Sequence, residues 1–230
     1  MSRACAKAIF FALFLTALCA QGVAKTDPAF HYLDPSQVDL TVLLPPPPDL
    51  GSPQERDDER EVAAMIDARN SAEFTRAREA SRRTVFFFAP SIGPEFTASE
   101  APLTAAFFAR VGSDVEKLVD LAKAYWGRAR PNGAGKKHAS YPSGHAAFAA
   151  STAVILAQLV PCKRDQIFEQ ARTFAENRIV LGLHYPSDVA AGWTAGTLAA
   201  FAMMRNPEFA RDFAATKAEV QKVCAGHSSP

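Results

Sequence analysis

Two stretches without a single charge, residues 146–160 and 189–204, most constrain what this 230-residue chain can fold into. They hold fifteen and sixteen residues, short of the ~20 needed to cross a bilayer. A helix on a protein surface keeps one polar face; these two keep none. They predict two helices at the centre of a bundle. Their many Ala, Gly, Ser and Thr residues let backbones approach closely.

The other segments are consistent with that frame. Residues 54–83 carry Val62, Met65, Ile66, Arg69 and Phe74 at helical spacing, which predicts one surface helix. A short helix is expected over 101–111, a longer one over 113–126, and amphipathic helices over 163–180 and 207–223. Residues 127–144, rich in Gly and Pro, predict a loop, and Leu-Gly-Leu-His-Tyr-Pro-Ser-Asp at 181–188 predicts a second. Ser187 or Asp188 is expected to cap the helix that follows. No segment alternates at period two. The expected fold is all-α, a single-domain helical bundle with two central apolar helices.

The N-terminus reads differently. Arg3 and Lys7 precede an apolar run at 8–20, with small residues at Gly22 and Ala24. That is the pattern of a secretory signal cleaved after Ala24, and it predicts an exported protein, periplasmic or secreted. The expected organisation is a signal over 1–24, a proline-rich segment over 25–53 and a helical domain over 54–230. Cleavage would remove Cys5 and Cys19. Cys162 and Cys224 would remain in an oxidising compartment, each after a helix C-terminus, and are expected to bridge. Net charge is close to zero, so no nucleic-acid surface is expected. No stable membrane insertion is expected after signal removal, and a homo-oligomer is left open.

Three clusters at expected helix ends carry chemistry. Lys123 and Arg130 are two helical turns apart, although Pro131 disfavours helical geometry at Arg130. Pro142, Ser143, Gly144 and His145 open the first apolar helix, where free amides and the dipole favour an anion. Arg178, His184 and Asp188 flank the second loop. Each has an ordinary reading alone: a solvated cation, an N-cap, a loop histidine, a local ion pair. Asp57, Asp58, Glu59 and Glu61 likewise read as an acidic first turn complementing a helix dipole. Taken together, three cations and a dipole end match a phosphate dianion. Asp188 can hold one nitrogen of His184 as N–H and free the other to attack, and His145 can protonate a leaving alkoxide.

Lys-x6-Arg-Pro, Pro-Ser-Gly-His and Arg-x5-His-x3-Asp, in this order, resemble the three-part signature of the phosphatidic acid phosphatase type 2 superfamily. Tyr32-Leu33, the Leu-Leu-Pro-Pro-Pro-Pro run at 43–48, Ser-Tyr-Pro-Ser-Gly-His and Asn206-Pro207-x-Phe209 resemble the secreted bacterial class A non-specific acid phosphatases. The resemblance implies a metal-independent enzyme without cofactor, acting on small phosphate monoesters through a covalent phosphohistidine. It implies His184 as nucleophile, His145 as acid and Asp188 as orienting carboxylate. Lys123, Arg130, Ser143, Gly144 and Arg178 would bind the phosphoryl group, and the proline run would pack on the domain. Asn177 and Asn132 depart from the family pattern, as does the short spacing from Pro131 to Pro142; these bear on substrate range more than on the reaction. The alternative functions are a vanadium-dependent haloperoxidase-like oxidoreductase, whose pocket this one resembles, a lipid phosphate phosphatase, and a non-catalytic phosphate-binding module, which would need the cations but not two histidines with an orienting Asp. The run Gly133-Ala134-Gly135-Lys136-Lys137 lacks the spacing of a nucleotide phosphate loop.

Overall fold

The computed structural model describes residues 30–133 and 139–225, with side chains described as far as Lys222. The expected signal, part of the Gly133–Lys137 run and the Cys224 side chain lie outside that range. Among the described residues the fold is all-α, with no strand. The helices are α1 (Leu40–Leu43), α2 (Pro53–Ala68), α3 (Ser71–Glu79), α4 (Ala89–Ile92), α5 (Pro102–Trp126), α6 (Gly144–Leu159), α7 (Arg164–Val180), α8 (Pro186–Met203) and α9 (Pro207–Ala225).

Helix α6 is the centre. Ala146, Ala149, Ala150, Ala153, Ile155 and Leu156 are completely buried, and α5, α7, α8 and α9 all pack on it. Its nearest partner is α8, the second uncharged helix. A Cβ on Gly192 would fall 2.3 Å from the carbonyl oxygen of Ser143, and one on Gly196 would fall 2.1 Å from that of Ala147. Glycine at both positions lets the two backbones touch, and any side chain would force them apart.

Two helix boundaries differ from expectation. Residues 102–126 form one continuous helix, with Gly112 inside it. A mid-helix glycine costs about 1 kcal/mol relative to alanine, and a Cβ at Gly112 would lie 3.6 Å from the Phe148 ring, an ordinary contact. Two residues on, buried Asp114 accepts the backbone amides of His31, Tyr32 and Leu33, at 2.8, 2.6 and 3.0 Å. Conversely, the expected helix over 54–83 breaks at Arg69 and Asn70. Asn70 accepts the Glu73 amide, and the Glu73 carboxylate accepts the Asn70 amide, both at 2.9 Å. This capping box restarts the helix as α3.

The segment before α2 lies against the core. Tyr32, Leu33, Val38, Leu40 and Leu44 are buried, and the Tyr141 hydroxyl donates to the Pro45 carbonyl. Asp39 caps a single turn, α1, ahead of the prolines. Cys162 is an exposed, free thiol; the other half of the expected bridge, the Cys224 side chain, lies outside the described residues. No described helix is long and apolar enough to cross a membrane.

Candidate active site

Three chain segments bring the predicted residues to one place. Helix α5 supplies Lys123 from its last turn and ends at Gly127, whose φ of 59° is left-handed. Arg130 is therefore carried by the loop, as Pro131 requires. Ser143 caps α6, its hydroxyl accepting the Ala146 amide at 3.4 Å. The first-turn amides of α6, Gly144 and His145 among them, have no intrahelical acceptor. Arg178 ends α7, and its carbonyl accepts the amides of Leu183 and His184 at 2.9 and 3.3 Å. That closes a tight turn through Gly182 and delivers His184 to the mouth of α8.

Lys123, Arg130, Gly144, His145 and His184 line one cavity of about 510 Å³. Ser143 precedes Gly144 in the chain, Arg178 meets the same Ser81 that His145 meets, and Asp188 lies against His184. The backbone amide of Ser143 donates to the Asp188 carbonyl at 2.9 Å, joining α6 to α8.

The two histidines are held in complementary ways. His145 Nε2 lies 3.0 Å from the carbonyl oxygen of Ser81. A carbonyl only accepts, so Nε2 carries the hydrogen and Nδ1 is the nitrogen left to exchange a proton. The ring stacks on Phe174 at 5.8 Å and 25°. His184 is 1% exposed, and its Nδ1 lies 3.4 Å from Oδ2 of Asp188. That approach is close but not aligned as a formed hydrogen bond. An ionised carboxylate also only accepts, so Nδ1 carries the hydrogen and Nε2 is the bare nitrogen.

Burial keeps both rings neutral. His145 is pushed down to about 3 by burial first, then by Arg178. His184 is pushed down to about 4 by burial, against the opposing pull of Asp188. Lys123 falls to about 8 through burial and then Arg130, and Arg178 to about 10 through burial, Arg130 and Arg83. Burial alone would raise Asp188, but His184, Arg128 and the Tyr185 amide outweigh it and hold the carboxyl below its usual range.

Lys123 donates to the carbonyls of Ala139 and Ser140. Arg130 donates to the Leu183 carbonyl at 3.2 Å, and Arg178 to the Ser81 hydroxyl at 2.9 Å. The buried Nε of Arg178 has no hydrogen-bond partner. No acidic side chain pairs directly with Lys123 or Arg178 among the described residues. Such a cradle suits a dianion with several acceptor oxygens.

Four supporting residues escaped the sequence reading. Arg128, 8% exposed, donates to Asp188 Oδ1 and the Ser187 hydroxyl at 2.7 Å each and to Asp58 Oδ2 at 2.8 Å. It also lies 4.1 Å over the Tyr185 ring. Asp58 is buried and accepts the Ser187 amide at 3.0 Å, so it is a long-range partner and not part of a dipole-compensating first turn. The signal was available: Asp58 sits one turn before Val62, on the inward stripe of α2. Asp188 does not cap α8 from outside. It is the third residue of the helix, and its Oδ2 accepts the Tyr185 amide at 2.9 Å. Ser81 and Arg83 lie on the connector after α3, where Ser81 meets His145 and Arg178 and Arg83 lines the cavity with Glu116 and Asp120, and no sequence spacing linked them to the motifs. Among the described residues no three His, Cys, Asp or Glu side chains gather to hold a metal ion.

Residues 102–212, which contain every one of the predicted site residues, match the PAP2 superfamily. Over that stretch the chain is similar to the superfamily. The non-specific acid phosphatase of Providencia stuartii is 26% identical, over 95% of this chain and 96% of its own length. An acid phosphatase of Zymomonas mobilis is 27% identical, over 90% of this chain and 84% of its own. The non-specific acid phosphatase of Salmonella typhimurium is 25% identical over 93% of each chain. The fold is also similar to the crystal structure of a transmembrane PAP2-type phosphatidylglycerolphosphate phosphatase from Bacillus subtilis. There the TM-score is 0.51 and the identity 21%, covering 68% of this chain and 87% of that one. The helical fold is thus shared with that structure, and the curated relatives are matched over most of their length.

Proposed function

We propose that this chain is an exported acid phosphatase that hydrolyses small phosphate monoesters through a phosphohistidine, without a metal ion. One observation carries the reading. A bare imidazole nitrogen, backed by a buried carboxylate, lines the same cavity as a second histidine and two cations. The names of the relatives support the reaction class.

In this mechanism Lys123, Arg130 and Arg178, with the first-turn amides of Gly144 and His145, take the non-bridging oxygens. Ser143 sets the entry of α6. His184 Nε2 attacks phosphorus in line, forming a P–N bond as the ester P–O bond breaks. His145 gives a proton from Nδ1 to the departing oxygen. Water then attacks the phosphohistidine, His145 takes its proton, and inorganic phosphate leaves. His145 is neutral in the free site, so its proton must enter with the substrate. Below about pH 6 a phosphate monoester carries one proton itself, which makes acid conditions favourable. Asp188, fixed by Arg128 and the Tyr185 amide, keeps Nδ1 of His184 protonated and stabilises the charge that develops on the ring.

The test is hydrolysis of a phosphomonoester panel in EDTA, with and without vanadate, alongside trapping of the labelled enzyme. Activity that survives EDTA, inhibition by vanadate and an alkali-stable phosphoryl label absent from His184→Ala are expected. A label that persists in His184→Ala overturns the assignment. Loss of activity in EDTA, restored by a divalent cation, overturns metal independence. For export, a mature N-terminus at Lys25 in the extracytoplasmic fraction is expected, and an intact Met1 there counts against cleavage.

A further inference from the structure

One wall of the cavity carries a cation, Arg83, beside the carboxylates of Glu116 and Asp120, and the motifs account for none of the three. Arg83 comes from the connector between α3 and the short 3-10 turn at Val85–Phe88, and it lines the cavity beside Gly144, His145 and His184. Its two terminal nitrogens face different ways. Nη2 is held by the Glu116 carboxylate of α5. Nη1 lies 3.7 Å from the position a Cβ on Gly144 would occupy, beside the first turn of α6. That turn is where unpaired amides favour an anion. With Nη2 engaged, the planar fork is oriented and a second donor is left over the anion position.

We infer that Arg83 is a fourth phosphoryl-binding cation, oriented by Glu116 so that Nη1 donates to a phosphoryl oxygen opposite Lys123 and Arg130. This rests on the phosphatase reading above. Arg83 also contributes to the lowered values of Lys123, Arg178 and His145, which agrees with its position inside the shared field of the site. Glu116 is a positioning residue here: it touches Arg83 and not the phosphoryl group. Its half-exposed ion pair with Arg83 belongs to a class that contributes little to folding, so the pair is better explained by what it aims than by what it stabilises.

The experiment measures inhibition by inorganic phosphate, KM for a neutral aryl phosphate and the melting temperature, for wild type, Arg83→Ala, Arg83→Lys, Glu116→Ala and Lys123→Ala. A charge-assisted hydrogen bond lost from a ligand predicts that Arg83→Ala raises the phosphate inhibition constant roughly tenfold or more. Its melting temperature should be unchanged. Arg83→Lys should recover only part of the loss, because an ammonium cannot hold Glu116 and the phosphoryl oxygen as one fork. Glu116→Ala should cost about threefold. Phosphate binding by Arg83→Ala within about twofold of wild type overturns the inference, and so does a Glu116→Ala loss as large as that of Arg83→Ala. The Lys123→Ala arm separates the two levels. If it weakens phosphate binding while Arg83→Ala does not, only this inference fails; if neither matters, the phosphoryl pocket itself is wrong.

Discussion

The cavity has a front and a back built on opposite electrostatic plans. At the front, burial lowers the proton affinities of Lys123, Arg130 and Arg178, and the Arg130 charge lowers those of Lys123 and Arg178 further. At the back, the Arg128 guanidinium is shared by two buried carboxylates, Asp58 and Asp188, and those carboxylates also accept backbone amides. Neither Lys123 nor Arg178 at the front has an acidic side-chain partner among the described residues. The back is charge already matched, and so it fixes geometry. The difference teaches where binding and where rigidity reside: ligand relieves the front and leaves the back untouched.

Removing a cation from each side should therefore give opposite results. At the back, Arg128→Ala leaves two buried carboxylates facing each other, and breaking such a pair costs about 3–5 kcal/mol. Chemical denaturation should show that loss, and turnover should fall with it as Asp188 loses its anchor. A destabilisation under 1 kcal/mol would break the contrast. At the front, Lys123→Met removes a cation that burial already disfavours. Its expected signature is phosphate binding weakened about tenfold, with unliganded stability unchanged or slightly raised. A Lys123→Met protein as unstable as Arg128→Ala would mean that the front is structural after all.

The smallest effect is a pH slope. His145 and His184 are held at about 3 and about 4 in the folded chain, against about 6.5 when exposed. Between those limits the unfolded chain binds more protons than the folded one. Stability without ligand should thus fall as pH drops from about 6.5 toward 4 and recover as it rises. Saturating phosphate should flatten that slope by favouring imidazolium at the front, and His145→Ala should reduce it in the free protein. Melting temperatures across this window, with and without phosphate, check both. An unchanged slope in the presence of phosphate would separate His145 from the anion site.

How much of this was legible in the sequence follows from which interactions are local. The central helices were readable because residues 146–160 and 189–204 carry no charge on any face. The three motifs were readable because each sits at a helix end, where an unusual residue has a local physical meaning. The break at Asn70 was also local, written as Asn-x-x-Glu, and was passed over in favour of the longer periodicity. The continuity through Gly112 had no local mark: near it lie the ring of Phe148 and Asp114, which holds a segment some eighty residues away. Asp58 and Arg128 were obscured by ordinary company, one in an acidic run and one in a basic loop. Arg83 carries no sequence mark at all, since only the tertiary path of the connector brings it over α6.

The contact of α6 with α8 through Gly192 and Gly196 bears on how this chain can change over time. His184 and Asp188 stand at the mouth of one of these helices, and His145 with the first-turn amides at the mouth of the other. Their separation is set by main chain against main chain, with Ser143 bonded directly to the Asp188 carbonyl. Peptide geometry does not mutate. Side chains in the surrounding layers can therefore be exchanged freely without moving the reacting groups relative to one another. That accounts for a chain that differs from the Salmonella typhimurium acid phosphatase at three positions in four while still presenting its three motifs to a single cavity.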